Sequence, residues 1–410
     1  MQMGTRKSPP APPLASSPLR GDATSGPAKP VPRWPLGEGI ARRHVLLWAG
    51  SLALPSAWSA PQRQTTLLAA WQQDQEQRIG LLSADASQWS VQRSLVVPTR
   101  AHGLWAEAGG CVLAVARRPG DWLLRWRPGQ AKTQWHWIDG DRRFNGHVIT
   151  SADGATLWTT ETDLDTAQGR LGVRDAASLD KTGEWATHGM DPHELLALPQ
   201  AVGGLPAGTL MVANGGIPTL PETGRSKREL GRMDASLVAL HPASGELLGQ
   251  WRLDDPHLSI RHLAWDPVSG TLGIALQAEH PDQAAQRAAP VLAVCDGRTL
   301  RAAEGQPALA GYGGDICALP ETAGGGFAVS CPRVNQLALF GAQGQWRQAI
   351  EHVEAYALAS DRQQWWLASS RGQVGLLHGG TDGAEPSRSR APDRGTLALQ
   401  IENHWVLMAG

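Results

Sequence analysis

A short unit of apolar strands joined by tight polar turns recurs along the chain, and this repeat constrains the fold more than any local motif. Each copy holds an apolar strand, a turn containing Gly or Asp, a second strand and then a third. The first two strands of the copies span Gly103–Ala116, Val148–Thr160, Leu195–Asn214, Leu263–Gln277, Ile316–Ser330 and Tyr356–Ser369. Their starts are spaced by roughly 40–70 residues, which brackets the period of a four-stranded propeller blade. The 47 Gly and 29 Pro supply the many turns that such a fold needs.

The two ends of the repeat region complete the count of blades. Residues Thr65–Val97 supply strands but no obvious innermost strand, and Thr396–Met408 at the carboxyl end supplies one. Sharing a blade between the ends closes the ring and protects sheet edges. The sequence therefore predicts an all-β, seven-bladed β-propeller closed by pairing of the N- and C-terminal strands. The competing architecture, two stacked β-sandwiches, is disfavoured because no linker interrupts residues 61–410.

The amino-terminal region has the pattern of an export signal. Residues 41–59 carry Arg42 and Arg43 before an apolar run, Val45 to Leu54, which has signal-peptide rather than membrane-spanning length. Small residues at Ala57 and Ser59 suit a signal peptidase. The paired arginines favour the twin-arginine route, with a general secretory signal as the alternative. Residues 1–40, rich in Pro, Ala and Ser, are predicted to be disordered or to lie upstream of the true start.

We therefore expect residues 60–410 to form one periplasmic domain without a membrane span. The formal net charge of −1 implies no strong attraction to nucleic acid, and we expect a monomer. The four cysteines form no Cys-x-x-Cys motif, which excludes the usual zinc knuckle and c-type haem attachment. Cys317 and Cys331 flank the turn 321–326 almost symmetrically, so we predict that they are cross-strand neighbours, either bonded or reduced.

Five histidines occupy one structural position of the repeat. They are His102, His147, His193, His262 and His404. If the repeats are blades, these side chains face one central channel, where imidazoles suit a metal, a haem edge or an anionic ligand. The alternative for each is a structural hydrogen bond to a neighbouring blade.

Two further groups of residues are candidates for ligand contacts. Glu161 and Asp163 face the same side of a strand and suit a hard cation, although a solvated, capped turn explains them equally. Asn214 leads into a basic insertion, Gly215 to Asp234, that contains Arg225. Together with Arg261, these residues are candidate contacts for an anionic ligand, the alternative being an exposed loop.

One set of segments resembles a known family. It comprises Phe144-Asn145-Gly146-His147, Thr159-Thr160-Glu161-Thr162-Asp163, Gly172-Val173, Pro192-His193-Glu194-Leu195, Val212-Ala213-Asn214-Gly215-Gly216-Ile217, Gly224-Arg225, Ser259-Ile260-Arg261-His262-Leu263 and Asn403-His404. The set is similar to domain-of-unknown-function family 1513 from about residue 65 to the carboxyl end. The resemblance implies a periplasmic seven-bladed propeller associated with iron-uptake loci of the imelysin kind. One departure is that the aromatic residue near the last motif follows it, as Trp405.

The leading hypothesis is an exported propeller that binds a metal ion or metal complex and contributes to periplasmic iron acquisition, without chemistry of its own. Iron, copper, calcium and haem are the candidate ligands, and other periplasmic iron-uptake proteins are the candidate partners. The alternatives are a metal-dependent hydrolase of the lactonase type and a protein-interaction platform, since propellers host all three. No Gly-x-Ser-x-Gly, His-Glu-x-x-His or phosphate-loop motif is present.

Overall fold

The computed structural model describes residues 65–84, 89–138, 140–218, 229–361, 364–369, 374–378 and 399–408. The predicted export signal and the candidate ligand Arg225 lie outside these residues. Within them, no helix combines the length and the apolar character that crossing a membrane requires.

The described strands form antiparallel sheets, six with four strands and one with three. The first sheet contains β1 (Thr65–Gln73), β2 (Glu76–Ala84), β3 (Trp89–Val97) and, beside β1, β27 (Gln400–Leu407). The second contains β4 (Ala101–Ala106), β5 (Val112–Ala116), β6 (Trp122–Trp126) and β7 (Thr133–Trp137). The third contains β8 (Arg142–Thr150), β9 (Thr156–Asp163), β10 (Gln168–Asp175) and β11 (Lys181–Met190). The fourth contains β12 (Pro192–Ala197), β13 (Leu210–Asn214), β14 (Ser236–Leu240) and β15 (Leu247–Trp251).

The other sheets continue the series. The fifth contains β16 (Leu258–Asp266), β17 (Thr271–Ala278), β18 (Leu292–Cys295) and β19 (Leu300–Ala302). The sixth contains β20 (Ile316–Ala318), β21 (Phe327–Cys331), β22 (Gln336–Phe340) and β23 (Trp346–Glu351). The three-stranded sheet contains β24 (Ala355–Ser360), β25 (Gln364–Ser369) and β26 (Val374–His378). Helical segments among the described residues are short: α1 (Gln283–Ala288) and three single-turn 3-10 helices, Leu230–Arg232, Glu321–Ala323 and Pro332–Val334. The architecture is an all-β propeller, as the repeat predicts.

The innermost strand of each sheet contacts the innermost strand of the next. These contacts run from β4 to β8, β12, β16, β20, β24 and β27, and β27 also contacts β4. In the shared sheet, β27 pairs antiparallel with β1, so that Leu68 lies opposite Val406. The innermost strands therefore surround one central channel.

The core lies between neighbouring sheets, because each strand turns alternate apolar residues to opposite faces. One buried cluster joins the first and second sheets through Leu68 and Trp122. Another joins the first sheet to the three-stranded one through Leu67 and Ala357. The inner edges of the sheets lie outside this apolar packing and can carry polar side chains.

The prediction that Cys317 and Cys331 are cross-strand neighbours is wrong. Strand β20 pairs Cys317 with Ala328, whereas Cys331 pairs with Gln336 of β22. The connecting loop closes with the Leu319 amide donating to the Gly326 carbonyl at 2.8 Å, which offsets the hairpin from the symmetric register that the spacing suggested. All four cysteines are free, and burial raises the pKa of both Cys317 and Cys331 to about 12.

Candidate metal centre

All five histidines of the repeat meet at the centre of the channel. The ring centroids of His262 and His404 are 4.4 Å apart, and those of His102 and His262 are 6.0 Å apart. Nε2 of His193 lies 2.8 Å from Nε2 of His262 and 3.4 Å from Nε2 of His102. All five histidines are buried, and the most exposed of them, His404, has only 8% of its surface accessible. The structure thus brings together residues from five different sheets.

A break in strand pairing accompanies each histidine. The pairing of β4 with β5 shifts between Ala101 and Leu104, on either side of His102. Equivalent shifts lie at or around His147, His193, His262 and His404. A β-bulge bends its strand and re-aims a side chain. The bulges therefore turn the imidazoles inward from strands that otherwise follow regular alternation.

Four of the imidazoles have the spacing of metal ligands. One ring nitrogen from each of His102, His147, His193 and His262 lies within 4.8 Å of the others. Several buried ring nitrogens have no hydrogen-bond partner among the described residues: Nδ1 of His102, His193 and His262, and Nε2 of His147 and His404. Buried polar atoms are rarely left unpaired, so these ring nitrogens are available to a ligand or to ordered water.

The electrostatics favour neutral imidazoles in this set. Burial, followed by repulsion from neighbouring charged groups, lowers the pKa of all four well below the usual value. Neutral imidazole is the form that binds a metal. His404 differs: burial acts to lower its pKa, but the nearby carboxylate of Asp315 outweighs this and raises the pKa above its usual value.

Asp315 is a site residue that sequence reasoning missed. Its Oδ1 lies 3.1 Å from Nδ1 of His404, and its Oδ2 accepts from the Leu358 amide at 2.8 Å. Together with His262 and His404 it forms a second group with metal-ligand spacing. A signal was present, because the fifth copy of the repeat starts near residue 315 and has no histidine there. A carboxylate substitutes for the missing imidazole.

Glu194 is a second carboxylate near the cluster. Its Oε2 accepts a hydrogen bond from the Leu263 amide at 2.7 Å. Burial raises the pKa of Glu194 to about 7, although His404 acts in the opposite direction. This carboxyl group is therefore near its protonation midpoint at neutral pH.

A small polar cavity reaches the histidines from one side. Its volume is about 30 Å³. It is lined by His102, His193, His262, Arg117, Arg118, Arg261, Gln277, Tyr312 and Asn403. Sequence reasoning identified Arg261 but neither of the other two arginines, which lie beside a cis proline peptide, Arg118-Pro119, in the loop after β5. Only the ring arrangement brings these guanidinium groups next to the histidines.

Glu161 and Asp163 do not join the histidine cluster. Glu161 is fully buried and accepts from Arg174 Nη2 at 2.7 Å and Lys181 Nζ at 2.8 Å. Asp163 caps a turn by accepting from the Thr166 amide at 3.2 Å. Neither shares a ligand group with a histidine. These contacts support the structural alternative for Glu161, whereas Asp163 also has metal-ligand spacing with Asp141 and Asp165, away from the histidines.

Asn214 lies apart from the cavity as well. Its Nδ2 donates to the Thr187 carbonyl at 2.8 Å and to Ser236 Oγ at 3.3 Å. These bonds connect β13 to β14 and to β11 of the third sheet. Among the cavity's lining residues, Arg261 is the one anion-contact candidate from the sequence.

A partly exposed cluster on the fifth sheet was also missed. Asp255, His257 and His280 each place one ligand atom within 4.8 Å of the others. Asp255 Oδ2 lies 2.8 Å from His280 Nε2. The group has the composition of a surface metal site, but it lacks the burial of the channel cluster.

We expect Glu161→Gln to destabilise the protein by about 3 kcal/mol, because it leaves the buried Arg174 guanidinium without its countercharge. The free energy of unfolding is measured by urea titration at constant m-value. Asp234→Asn is the control, since it breaks an ion pair that is about half exposed and is expected to cost less than about 1 kcal/mol. Equal costs for the two variants would contradict a buried structural role for Glu161.

We expect Gly146→Ala to weaken metal binding by about 10-fold without removing a ligand. Gly146 has φ +105°, and an added Cβ would lie 2.8 Å from Cδ2 of His102, so the ring must move. Mutation of a residue that orients a metal ligand typically costs about 10- to 100-fold in affinity. Gly154→Ala is the matched control, with φ +71° and open space around the new Cβ. Equal metal affinities for both variants would show that the position of His102 is not limiting.

Residues 95–408 match the family model described as a protein of unknown function, domain-of-unknown-function family 1513. The chain belongs to this family. Comparison with functionally curated proteins finds no significant sequence match.

Several solved structures share the fold at low sequence identity. A protein from Lactobacillus plantarum is 13% identical, with a TM-score of 0.53, covering 84% of this chain and all of its own. Hydrazine synthase from Kuenenia stuttgartiensis is 11% identical, with a TM-score of 0.54, covering 75% of this chain and 93% of its own. A Bacteroides fragilis protein, for which 6-phosphogluconolactonase is a suggested activity, is 10% identical, with a TM-score of 0.52, covering 87% of this chain and all of its own. At these identities the similarity shows the fold alone.

Proposed function

We propose that this protein binds a divalent transition-metal ion at the histidine cluster of its central channel. The observation that carries the proposal is the convergence of four buried ring nitrogens, from four sheets, within 4.8 Å of one another. Imidazole ligands suit iron, copper, zinc and nickel, whereas calcium prefers oxygen ligands. The candidate oxygen ligands, Glu161 and Asp163, have protein partners away from the cluster.

The cavity next to the cluster favours a metal ion over haem. Its volume of about 30 Å³ is far below what a porphyrin occupies. A bare ion with one small exogenous ligand fits this space. We therefore propose a metal ion, and not haem, as the ligand.

Metal titration of the purified protein tests the proposal. Protein treated with a chelator is titrated with Fe²⁺ under anaerobic conditions, and separately with Cu²⁺, Zn²⁺ and Co²⁺. We expect one tightly held ion per chain, and a Co²⁺ absorption spectrum characteristic of nitrogen ligation. Failure of every ion to survive gel filtration with the protein would contradict the proposal.

We also propose that the protein contributes to periplasmic iron acquisition. It rests on the export signal predicted from the sequence and on the locus association that the resemblance implies. Iron bound to protein isolated from the periplasm, at a mature mass lacking residues 1–59, would support it. Full-length mass, or zinc as the native ion, would argue against it.

A lactonase-like hydrolase is the alternative function. The cavity that reaches the histidines is too small for a sugar lactone. A larger groove of about 290 Å³ is lined by Arg100, Tyr356 and Glu402, among others, but by none of the five histidines. The geometry thus separates the space for a lactone from the metal ligands. Hydrolysis of a lactone by the metal-loaded protein, and not by the metal-free one, would favour this alternative.

We further propose that the sheets form one closed, seven-bladed ring. Support comes from the pairing of β27 with β1 and from the circuit of contacts among the innermost strands. Deleting residues 399–410 is expected to prevent folding, because it removes the innermost strand of the shared sheet. A soluble, cooperatively unfolding truncation would contradict closure by this strand.

A further inference from the structure

We infer that the cavity beside the histidines binds a small monovalent anion of two or three heavy atoms, as a further ligand of the metal. This inference rests on the proposed metal site and names the chemistry of its exogenous ligand. Three histidines and three arginines line the same small space. An ion held by the histidines and an anion held by the arginines would therefore be in contact.

The charges around the cavity favour an anion. Three guanidinium groups line it, those of Arg117, Arg118 and Arg261. Three carboxylates are near them, those of Asp191, Glu279 and Glu402. Arg100 and Arg117 share Glu402, while Arg118 and Arg261 share Asp191. These carboxylates balance the guanidinium groups that line the cavity, so the attraction for an anion comes from a divalent ion on neutral imidazoles, which would add two positive charges.

Arg261 is held in place, and its Nε donor is left unpaired in the described part of the chain. Its Nη1 donates to Asp191 Oδ2 at 2.8 Å. A Cβ on Gly215 would lie 2.7 Å from that Nη1, so glycine there leaves room for the ion pair. The side chain is 4% exposed, yet its Nε has no acceptor among the described residues. A buried, unpaired donor on a fixed cation beside a cavity indicates a bound acceptor.

The size of the cavity limits the anion. A single water molecule needs about 10–15 Å³ of cavity volume. The cavity of about 30 Å³ therefore holds two or three heavy atoms. Formate, azide and nitrite fit this limit, whereas phosphate and larger carboxylates do not. Planar or linear anions of this size can contact a guanidinium at one end and the metal at the other.

The test uses the full-length, Co²⁺-loaded protein in chloride-free buffer. Azide and formate are titrated while the cobalt absorption spectrum is followed, with formamide as the neutral analogue and phosphate as the oversized anion. We expect both small anions to change the spectrum and formamide and phosphate to leave it unaltered. Equal effects of formate and formamide would overturn the inference.

Arginine variants identify the source of the selectivity. At full cobalt loading, Arg261→Gln and Arg117→Gln are expected to lower azide affinity by 10-fold or more. Arg125→Gln is the control, since Arg125 pairs with Glu107 on the second sheet, outside the cavity lining. Unchanged azide affinity in both cavity variants would overturn the inference while leaving the metal site intact.

Metal-free protein separates this inference from the proposed function. If no cobalt binds, the metal proposal fails, and formate protection against thermal unfolding is compared between the wild-type protein and Arg261→Gln. Protection that is lost in the variant would support the anion site by itself. Absence of protection in the wild-type protein would overturn it.

Discussion

Replacing His193 or His262 with alanine is expected to lower metal affinity by about 100-fold or more. Their Nε2 atoms are 2.8 Å apart, so both rings would present a nitrogen to the same ion. Removal of an outer-shell partner alone costs about 10- to 100-fold, and loss of a direct ligand should cost at least the upper end of that range. The measurement is competitive titration with a metal-sensitive chelator at pH 7.5.

A histidine outside the channel provides the control. His136 lies on β7, the outermost strand of the second sheet, 3.8 Å from the exposed Asp180. His136→Ala is expected to leave metal affinity unchanged. If the double variant of His193 and His262 retains full occupancy, the histidines are not ligands, although the propeller itself would be unaffected.

Loss of stability in mild acid is the second large effect that we expect. The pKa values of His102, His147, His193 and His262 are lowered mainly by burial. Below the unfolded value of about 6.5, the unfolded chain therefore binds more protons than the folded one, and stability falls as pH falls. Each such group contributes up to about 1.4 kcal/mol per pH unit.

Two neighbouring groups modify this slope. The pKa of Glu194 is raised to about 7, so the folded protein takes up a proton there at a higher pH than the unfolded chain does. This difference stabilises the fold as pH falls from 7 towards the pKa of Glu194 in the unfolded chain. It offsets about one histidine. His404 has a raised pKa, so its contribution is fully present below 6.5 and is lost only at higher pH. Burial also lowers the pKa of His352, which adds to the loss. The net expectation is that stability falls steeply as pH drops below 6.5, enough to unfold a typical domain in mild acid.

Urea midpoints of the metal-free protein between pH 7.5 and 5 measure this dependence. His147→Gln should lower the slope by about 1.4 kcal/mol per pH unit, since one buried imidazole is removed. Bound metal should shift acid unfolding to lower pH, because protons then compete with the ion for the imidazoles. A midpoint independent of pH over this range would show that the imidazoles are not held neutral by burial.

The sequence alone was sufficient for the propeller and for the five histidines. Strand alternation and glycine-containing turns are local properties, so their period can be read without knowing which residues meet in space. His102, His147, His193, His262 and His404 share one point of that period. Equivalent positions of equivalent strands must converge once the strands surround a channel.

Contacts between residues far apart in the chain were decided only by the tertiary structure. Glu161 resembled a metal ligand in the sequence, but Arg174 on the adjacent strand neutralises it. Cys317 and Cys331 were misplaced, because a loop of unforeseen geometry sets the hairpin register. In both cases the deciding partner is specified by strand pairing, which short-range patterns do not encode.

The site's final composition also depended on the fold. Asp315 takes the place of a sixth histidine and contacts His404, 89 residues further along the chain. Arg117 and Arg261 come from different sheets to line one cavity. The sequence by itself determined the repeating strand and the histidine carried at its start. The ring of bulged inner strands decided which charges face those histidines, because a bulge re-aims a side chain only once its strand is paired.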